Sequence, residues 1–221
     1  MTSRTIRPHP LFARFYARIA GPALDKAGIT EHRTRLLSGL AGEVIEIGAG
    51  NGLNFPHYPP EVKRVLAVEP EPRLRVLAEQ AARTAPVQVE VTDGIAEQLP
   101  VVDASLDAAV VCLTLCSVAD PHAALAELHR VLRPGGQLRF FEHVRADSPG
   151  MRCVQRALDA TVWPLLMGGC HTGRDTQAAI TTAGFALTSV EKFAFPETRL
   201  PSPAATHILG TAERPHPGGT P

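Results

Sequence analysis

Val44–Leu53, with the sequence VIEIGAGNGL, is the stretch that decides the fold expected of this chain. An apolar, β-branched run that carries one acid, Glu46, leads directly into glycines at alternate positions, Gly48, Gly50 and Gly52. Such a run is typical of a buried strand, and the glycines indicate a tight turn where backbone closely approaches a ligand. The segment therefore predicts the first strand of an α/β sheet, with a ligand site at its carboxyl end.

A second apolar run, Arg64–Val68, predicts the neighbouring strand and ends at another acid, Glu69. In a doubly wound sheet, a carboxylate about 20 residues after the glycine loop accepts hydrogen bonds from a ribose diol. A nucleoside-bearing cofactor is therefore the first hypothesis. Leu53 stands where a dinucleotide-binding loop has its third glycine, and no Gly-Lys-Ser/Thr follows, which excludes a phosphate-binding P-loop.

Strands and helices alternate through the rest of the chain, which predicts a doubly wound, mostly parallel sheet with right-handed crossovers. Pro72 and the pair Asp120-Pro121 are helix-starting signals, and Gly184 is a helix-ending signal. The predicted strands are Val44–Ile47, Val65–Val68, Val87–Val91, Ala108–Cys112, Leu138–His143, Leu187–Phe193 and His207–Thr211. The predicted helices between them are Pro72–Arg83, Pro121–Val131 and Asp175–Ala183.

Composition narrows the class of protein. The 221 residues carry 22 basic and 22 acidic side chains, and this balance argues against nucleic acid as the main partner. No apolar run approaches the roughly 20 residues of a membrane span, and no secretory signal is recognisable. The four cysteines, Cys112, Cys116, Cys153 and Cys170, form neither a CxxC nor a zinc-ribbon spacing. We therefore expect a cytoplasmic protein with reduced thiols and no metal site.

Two segments extend beyond the minimal pattern. Residues 1–40 are interpreted as an N-terminal helical cap in which Leu11–Ile19 forms an amphipathic helix that could touch a membrane surface. Residues 145–174 are inserted between the fifth strand and its helix, and are either a lid over the substrate or an extra core helix. The remaining sheet domain is expected to span 41–212, and residues 213–221, rich in Pro and Gly, are expected to be a disordered tail.

Several short motifs in the same order resemble the class I S-adenosylmethionine (SAM)-dependent methyltransferases. The segment EIGAGNG at 46–52 matches their E-x-G-x-G-x-G loop, Asp93-Gly94 follows the third strand, and DASLD at 103–107 leads into the fourth. LRPGG at 132–136 then precedes the fifth strand. The resemblance implies a Rossmann-like sheet of seven strands with an antiparallel last strand, and SAM as the methyl donor.

The same resemblance implies a role for individual residues. Glu46 would hold the amino group of SAM or order its loop, Glu69 would accept from the ribose hydroxyls, and Asp93 from the adenine amine. Tyr16 would fold over the cofactor, and Cys112 would lie beneath the sulfonium. The implied cofactor-binding set is Tyr16, Glu46, Gly48, Ala49, Gly50, Gly52, Asn54, Glu69, Pro70, Asp93, Gly94, Ile95 and Cys112.

A narrower resemblance concerns the methyl acceptor. Val110–Val118, with the sequence VVCLTLCSV, is similar to a segment of the methyltransferase-like alkyl thiol methyltransferases, as are FEHV at 141–144 and HILG at 207–210. This implies a small, hydrophobic thiol as the substrate. His143 and His207 are the candidate catalytic bases, because a neutral imidazole can take a proton near pH 7. For His143 the alternative is a structural histidine that pairs with Glu142 or with backbone.

Other functions remain open at this stage. N-methylation of a phospholipid headgroup or a small amine would suit the arginines near the N-terminus. A SAM-binding regulatory module without catalysis would use the same cofactor motifs. Arsenite methylation is disfavoured, because no cysteine pair occurs at the usual chelating positions.

Overall fold

The computed structural model describes residues 10–197 and 201–218, whose strands form one seven-stranded sheet in the order β3-β2-β1-β4-β5-β7-β6. Neighbouring strands are parallel except beside β7, which is antiparallel to both β5 and β6. The predicted fold class, a mostly parallel sheet with an antiparallel last strand, is therefore confirmed. The strands are β1 Gly42–Ile47, β2 Val62–Val68, β3 Gln88–Thr92, β4 Leu106–Cys112, β5 Leu132–His143, β6 Ala186–Ala194 and β7 Thr206–Glu213.

The helices begin where their capping residues predict. Pro72 and Pro121 occupy first-turn positions, and the side chains of Glu71 and Asp120 accept backbone N–H groups there. Asp175 caps its helix from outside rather than belonging to it. The helices are α1 Pro10–Phe15, α2 Gly21–Lys26, α3 Ile29–Leu37, α4 Pro72–Ala82, α5 Pro121–Val131, α6 Pro149–Asp159, α7 Trp163–Leu166 and α8 Thr176–Thr182, with a π-helical turn at Tyr16–Ala20.

Both faces of the sheet are covered, which explains why its central strands are apolar throughout. On one face, Ile45 of β1 belongs to a core cluster with Leu125 of α5 and Ile180 of α8. On the other face, Val44 belongs to a second cluster, which includes Leu36 of α3 and residues of α4. The segments that connect these layers therefore lie at the ends of the strands.

The order of the strands places a crevice beside β1. This strand pairs with β2 on one side and with β4 on the other, so the chain winds outward from β1 in both directions. In such sheets, ligands bind outside the carboxyl ends of the strands at the point where the winding reverses. The loops that follow β1 and β4 border this point.

The segments outside the minimal sheet pattern contain further structure. The predicted cap holds α1, α2 and α3, and the predicted insert holds α6 and α7. Residues 1–9 of the cap and 219–221 of the tail lie outside the described residues. At the start of the tail, Glu213 ends β7, and Arg214 exchanges backbone hydrogen bonds with Gly135 and Gly136 at 2.7 and 2.9 Å. None of the described helices has the length and apolarity needed to cross a bilayer.

Replacing Gly210 by Ala should destabilise the edge of the sheet where β7 is antiparallel. A Cβ atom at Gly210 would lie 2.3 Å from the carbonyl oxygen of Ser189 and 2.6 Å from Cζ of Phe140. Overpacking of this kind costs about 1–3 kcal/mol of unfolding free energy, which urea denaturation can measure. Gly150→Ala in α6 is the matched control, since no heavy atom lies within 4 Å of the added Cβ. Equal stabilities of the two variants would contradict this packing.

Candidate active site

The glycine loop after β1 has a backbone that other residues adopt only with strain. Gly48 and Gly50 have φ angles of 64° and 59°, in the left-handed region. A Cβ at Gly48 would lie 2.5 Å from Cγ2 of Thr114, so this glycine allows the loops after β1 and β4 to touch. A Cβ at Gly50 would meet only the Tyr16 ring, at 3.6 Å. The loop therefore has one side packed against β4 and another that faces the N-terminal helices.

Glu69, at the end of β2, is buried and holds this loop. Its Oε2 accepts a hydrogen bond from the backbone N–H of Gly50 at 2.7 Å, and its Oε1 accepts from that of Glu71 at 2.9 Å. Burial raises the pKa of Glu69 to about 7. Each carboxylate oxygen keeps a second lone pair, so the group can order the loop and still accept hydrogen bonds from a ligand.

Glu46, in β1, is the second buried acid at this edge. Its two oxygens accept from Nδ2 of Asn54 at 2.8 Å and from the hydroxyl of Tyr58 at 2.6 Å. Burial raises its pKa to about 7, although both hydrogen bonds favour the ionised form. Glu46 and Asn54, both predicted from the cofactor motif, therefore belong to one network.

Arg33, in α3, contacts several of the predicted site residues, and the sequence motifs did not include it. Its side chain is only 4% exposed, and its Nη1 donates to Oδ1 of Asn54 at 2.6 Å and lies 3.8 Å from Sγ of Cys112. Tyr16 and Glu46 lie close enough to interact with its charge. Its Nε and Nη2 are buried and make no hydrogen bond of good geometry within the described residues, although the Tyr16 hydroxyl interacts with the guanidinium.

A signal for Arg33 is present in the sequence. Ile29, Arg33, Leu36 and Leu37 recur at the spacing of one helical face, and all four are buried. A single arginine on an apolar stripe is unusual, because a buried charge must be paired. This pattern distinguishes Arg33 from the exposed Arg35 on the same helix.

The loops after β2 and β3 form the outer end of the site. Asp93 is mostly exposed, and its Oδ1 accepts from Nη1 of Arg75 at 2.8 Å. The same nitrogen donates to the carbonyl oxygens of Glu69 and Pro70 at 2.8 and 3.2 Å. Arg75 therefore joins Asp93, which precedes Gly94 and Ile95, to Glu69 and Pro70. Within the described residues, no hydrogen bond connects Asp93 to the Arg33 network.

The loop after β4 is held by a third buried acid, Glu142 of β5. Its carboxylate accepts from the backbone N–H groups of Thr114, Leu115 and Cys116 at 2.8, 3.0 and 3.3 Å. Burial raises the pKa of Glu142, and these three donors act in the opposite direction. The carboxylate of Glu142 thus binds the loop, and within the described residues it reaches the ring of His143 through charge rather than through a hydrogen bond.

His143 and His207 are opposite each other in the β5–β7 pair, with ring centroids 6.0 Å apart. Nδ1 of His207 donates to the carbonyl oxygen of Ala205 at 2.9 Å, and burial lowers the pKa of His207 to about 4. Nε2 of His143 lies 3.1 Å from Sγ of Cys170, whereas its Nδ1 is buried without a partner. Burial alone would lower the pKa of His143, but the contact with Cys170 raises it. In His143, the ring nitrogen without a partner is therefore Nδ1, whereas Nδ1 of His207 already donates to Ala205.

Known proteins are similar to this chain in sequence and in fold. The family described as "Methyltransferase domain" matches residues 45–140. Thiol S-methyltransferase TMT1B of Rattus norvegicus is 38% identical over 184 residues, which cover 80% of this chain and 73% of that protein. The chain belongs to the SAM-dependent methyltransferases. Human thiol S-methyltransferase TMT1A is 33% identical over 156 residues, covering 69% of this chain and 64% of that protein.

The fold of this methyltransferase recurs in solved structures at lower identity. A SAM-dependent methyltransferase from Thermotoga maritima has a TM-score of 0.67 and 24% identity, and the match covers 93% of this chain and 99% of that one. The likeness shows that this chain and that protein have the same overall fold.

The methyltransferase should lose stability through Glu46 as the pH rises toward neutrality. Because its pKa is about 7 in the folded chain, against about 4.3 for a free Glu, the folded state holds more protons between these values. The unfolding free energy contributed by this group therefore falls by roughly 2 kcal/mol between about pH 5 and 7.5. Glu46→Gln keeps an oxygen acceptor but cannot titrate.

Urea unfolding of the wild-type protein and of Glu46→Gln at several pH values measures this contribution. The wild type should lose stability relative to the variant as the pH increases. Glu61→Gln, at an exposed position, is the control that should follow the wild type. A difference between wild type and Glu46→Gln that stays constant with pH would show that Glu46 does not retain its proton.

Proposed function

We propose that this methyltransferase transfers the methyl group of SAM to a small, hydrophobic thiol. The observation that carries the proposal is its 38% identity, over most of both chains, to a protein named thiol S-methyltransferase. The sulfonium of bound SAM supplies an activated methyl group and an excellent leaving group. The chain itself must bind the cofactor, orient the acceptor and manage one proton.

The Arg33 network supports binding of the methionine part of SAM. Nε and Nη2 form one edge of the guanidinium, and two parallel N–H donors on such an edge match a carboxylate. In the proposal, Arg33 binds the carboxylate of SAM and Glu46 its ammonium, so that two buried charges gain partners of opposite sign. Glu69 takes the ribose hydroxyls and Asp93 the adenine amine.

The remaining predicted residues complete the proposed cofactor site. Cys112 lies beside Arg33, and burial raises the pKa of its thiol to about 11, so it stays neutral near pH 7. The Tyr16 ring lies beside Gly50 and closes the loop from the N-terminal side. The other loop residues proposed to line the cofactor site, with their backbone or side chains, are Gly48, Ala49, Gly50, Gly52, Asn54, Pro70, Gly94 and Ile95.

On the acceptor side, the proposed base is Nδ1 of His143. When Nε2–H donates to Sγ of Cys170, Nδ1 carries a lone pair that has no partner in the described structure. A free thiol has a pKa near 8.5, so a neighbouring base increases the small thiolate fraction present at neutral pH. His207, neutral because its pKa is about 4, would line the same side and help to orient the sulfur.

The insert is proposed to wall this acceptor side. Nε1 of Trp163 donates to Sγ of Cys170 at 3.2 Å, and Cys170 in turn contacts His143. Val162, Leu165 and Leu166 leave apolar surface exposed on the same short segment. An apolar wall would favour hydrophobic thiols and exclude water from the methyl transfer.

Arg33→Met should weaken SAM binding while the fold persists. Removing hydrogen bonds to a charged group costs about 1.5–3 kcal/mol, which corresponds to roughly 10- to 100-fold in Kd by calorimetry. Arg35→Met is the matched control, because Arg35 lies on the same helix but is exposed and pairs with Glu191. If both variants bound SAM as the wild type does, Arg33 would not contact the cofactor.

His143→Ala should lower thiol turnover by about 10²–10⁴-fold at a pH below the acceptor's pKa, and less as the pH rises and the thiolate forms unaided. Release of S-adenosylhomocysteine, measured with a panel of alkyl thiols, reports this loss, and SAM affinity should hardly change. His216→Ala, at an exposed position beside Gly135, is the control. A loss that is independent of pH would indicate that His143 positions the acceptor instead.

N-methylation of a phospholipid headgroup or small amine is the second candidate. The observation that favours it lies in the N-terminal helices, where Leu11 is 81% and Ile19 59% exposed beside the exposed Arg14 and Arg18. Apolar and basic side chains in this combination suit an anionic membrane surface. Turnover on amines or ethanolamine-lipid vesicles, with none on thiols, would establish this candidate in place of the first.

SAM binding without turnover on any acceptor would indicate a regulatory module.

A further inference from the structure

Three buried side chains with soft ligand atoms meet at the carboxyl edge of the sheet. Cys116 comes from the loop after β4, His143 from the end of β5, and Cys170 from the segment after α7. They are 2%, 7% and 9% exposed, and their sulfur and nitrogen ligand atoms all lie within 4.8 Å of one another. Within residues 10–197 and 201–218, this is the one cluster of three or more His, Cys, Asp or Glu with such spacing.

We propose that Cys116, His143 and Cys170 bind a soft divalent metal ion of the zinc class. Zinc binds Cys sulfur at about 2.3 Å and His nitrogen at about 2.0 Å, so neighbouring ligand atoms of a tetrahedral site lie about 3.4–3.8 Å apart. The 3.1 Å between Nε2 of His143 and Sγ of Cys170, and the 4.8 Å limit of the cluster, bracket these separations. Side-chain shifts of less than about 1 Å would therefore complete the geometry.

The backbone of the two cysteine segments is fixed before any ion binds. Glu142 accepts from the N–H of Cys116, and the N–H of His171 donates to the carbonyl oxygen of Cys116 at 2.9 Å. Nη1 of Arg174 donates to the neighbouring carbonyl oxygen of Leu115 at 2.5 Å. The loop after β4 and the insert are thus held together on both sides of Cys116, which keeps the two sulfurs close.

The surroundings of Cys170 provide an independent indication of a ligand role. Nε1 of Trp163 is a hydrogen-bond donor only, and it is directed at Sγ of Cys170 at 3.2 Å. The hydrogen bond with Cys116 and burial raise the pKa of Cys170, so a metal ion would have to displace its proton. A donor aimed at the sulfur would then stabilise the thiolate, and hydrogen-bonded partners of this kind orient metal ligands. Two thiolates would also neutralise a divalent ion inside the protein.

The chemistry of the three ligands selects the class of ion. Thiolate and imidazole suit zinc and other soft or intermediate metals, whereas magnesium and calcium require oxygen ligands, which this cluster lacks. Three protein ligands leave one position of a tetrahedral site for water or an exogenous thiol. A metal on Nε2 would keep the remaining proton of His143 on Nδ1, so the proposed base role of Nδ1 applies to the metal-free protein, and in the metal-bound protein the open coordination position would receive the thiol instead.

Cobalt(II), which reports coordination by its visible spectrum, is the probe for this site. Titrated without oxygen into the reduced, full-length protein, it should bind one ion per chain and give the intense absorption of tetrahedral cobalt with thiolate charge-transfer bands. Zinc should displace it. Cys116→Ser and Cys170→Ser should each weaken cobalt binding by more than about 100-fold. Removing a residue that only hydrogen-bonds to a metal ligand costs up to about 100-fold, and these variants remove a ligand itself. Cys153→Ser, at an exposed position in α6, is the matched control and should bind as the wild type does.

Circular dichroism and SAM affinity verify that the variants fold. Trp163→Phe retains an aromatic ring but loses the N–H, and it should weaken cobalt binding by about 10- to 100-fold. This variant tests the proposal if the serine variants do not fold. Absence of thiolate charge-transfer bands in the reduced wild type would overturn the proposal, as would their persistence in both serine variants. Because the readout is metal binding, its failure is distinct from a failure of thiol methylation, which the turnover assay measures.

Discussion

The buried guanidinium of Arg33 is the group on which the hydrogen-bond network at the carboxyl end of β1 depends. Removing an ion from water costs several kcal/mol, and the chain must recover that cost through partners. Nη1 of Arg33 donates to the side-chain oxygen of Asn54, whose side-chain nitrogen in turn donates to Glu46. Glu46 itself has a pKa of about 7 and is only partly ionised near neutrality, so it is an incomplete counter-ion. The network is therefore poised for an anionic group that pairs with the open edge of the guanidinium.

The same principle, a buried acid that binds backbone donors, recurs at the two other loops of the crevice. Glu69 fixes the loop after β1, and Glu142 fixes the loop after β4. In each case, the carboxylate stands at or near the end of a neighbouring strand, where the register of the sheet delivers it to a turn. The strand order thus creates the crevice and also places Glu69 and Glu142 where they bind the two loops that border it.

The sequence predicts those parts of the site that depend on local patterns. The β-branched runs, the glycine loop and the helix caps were sufficient for the sheet, and they place Glu46 and Glu69 at the ends of its strands. Arg33 was missed because no motif includes it, although its position on an apolar helix face was visible. Cys116 and Cys170 were missed as a pair because spacing rules consider nearby residues. Only the insert, folding back over β5, brings them together.

Cys112 shows how the two sides of the site are kept chemically distinct. Its thiol lies beside Arg33, at the strand end where the resemblance to methyltransferases implies the sulfonium, and would compete with the substrate if it ionised. Burial prevents this by raising its pKa to about 11, despite the opposing effect of Arg33. At pH 7, its thiolate fraction is on the order of 10²-fold below that of a free thiol with a pKa near 8.5. An enzyme that methylates thiols must protect its own, and the hydrophobic packing around β4 provides that protection without any additional residue.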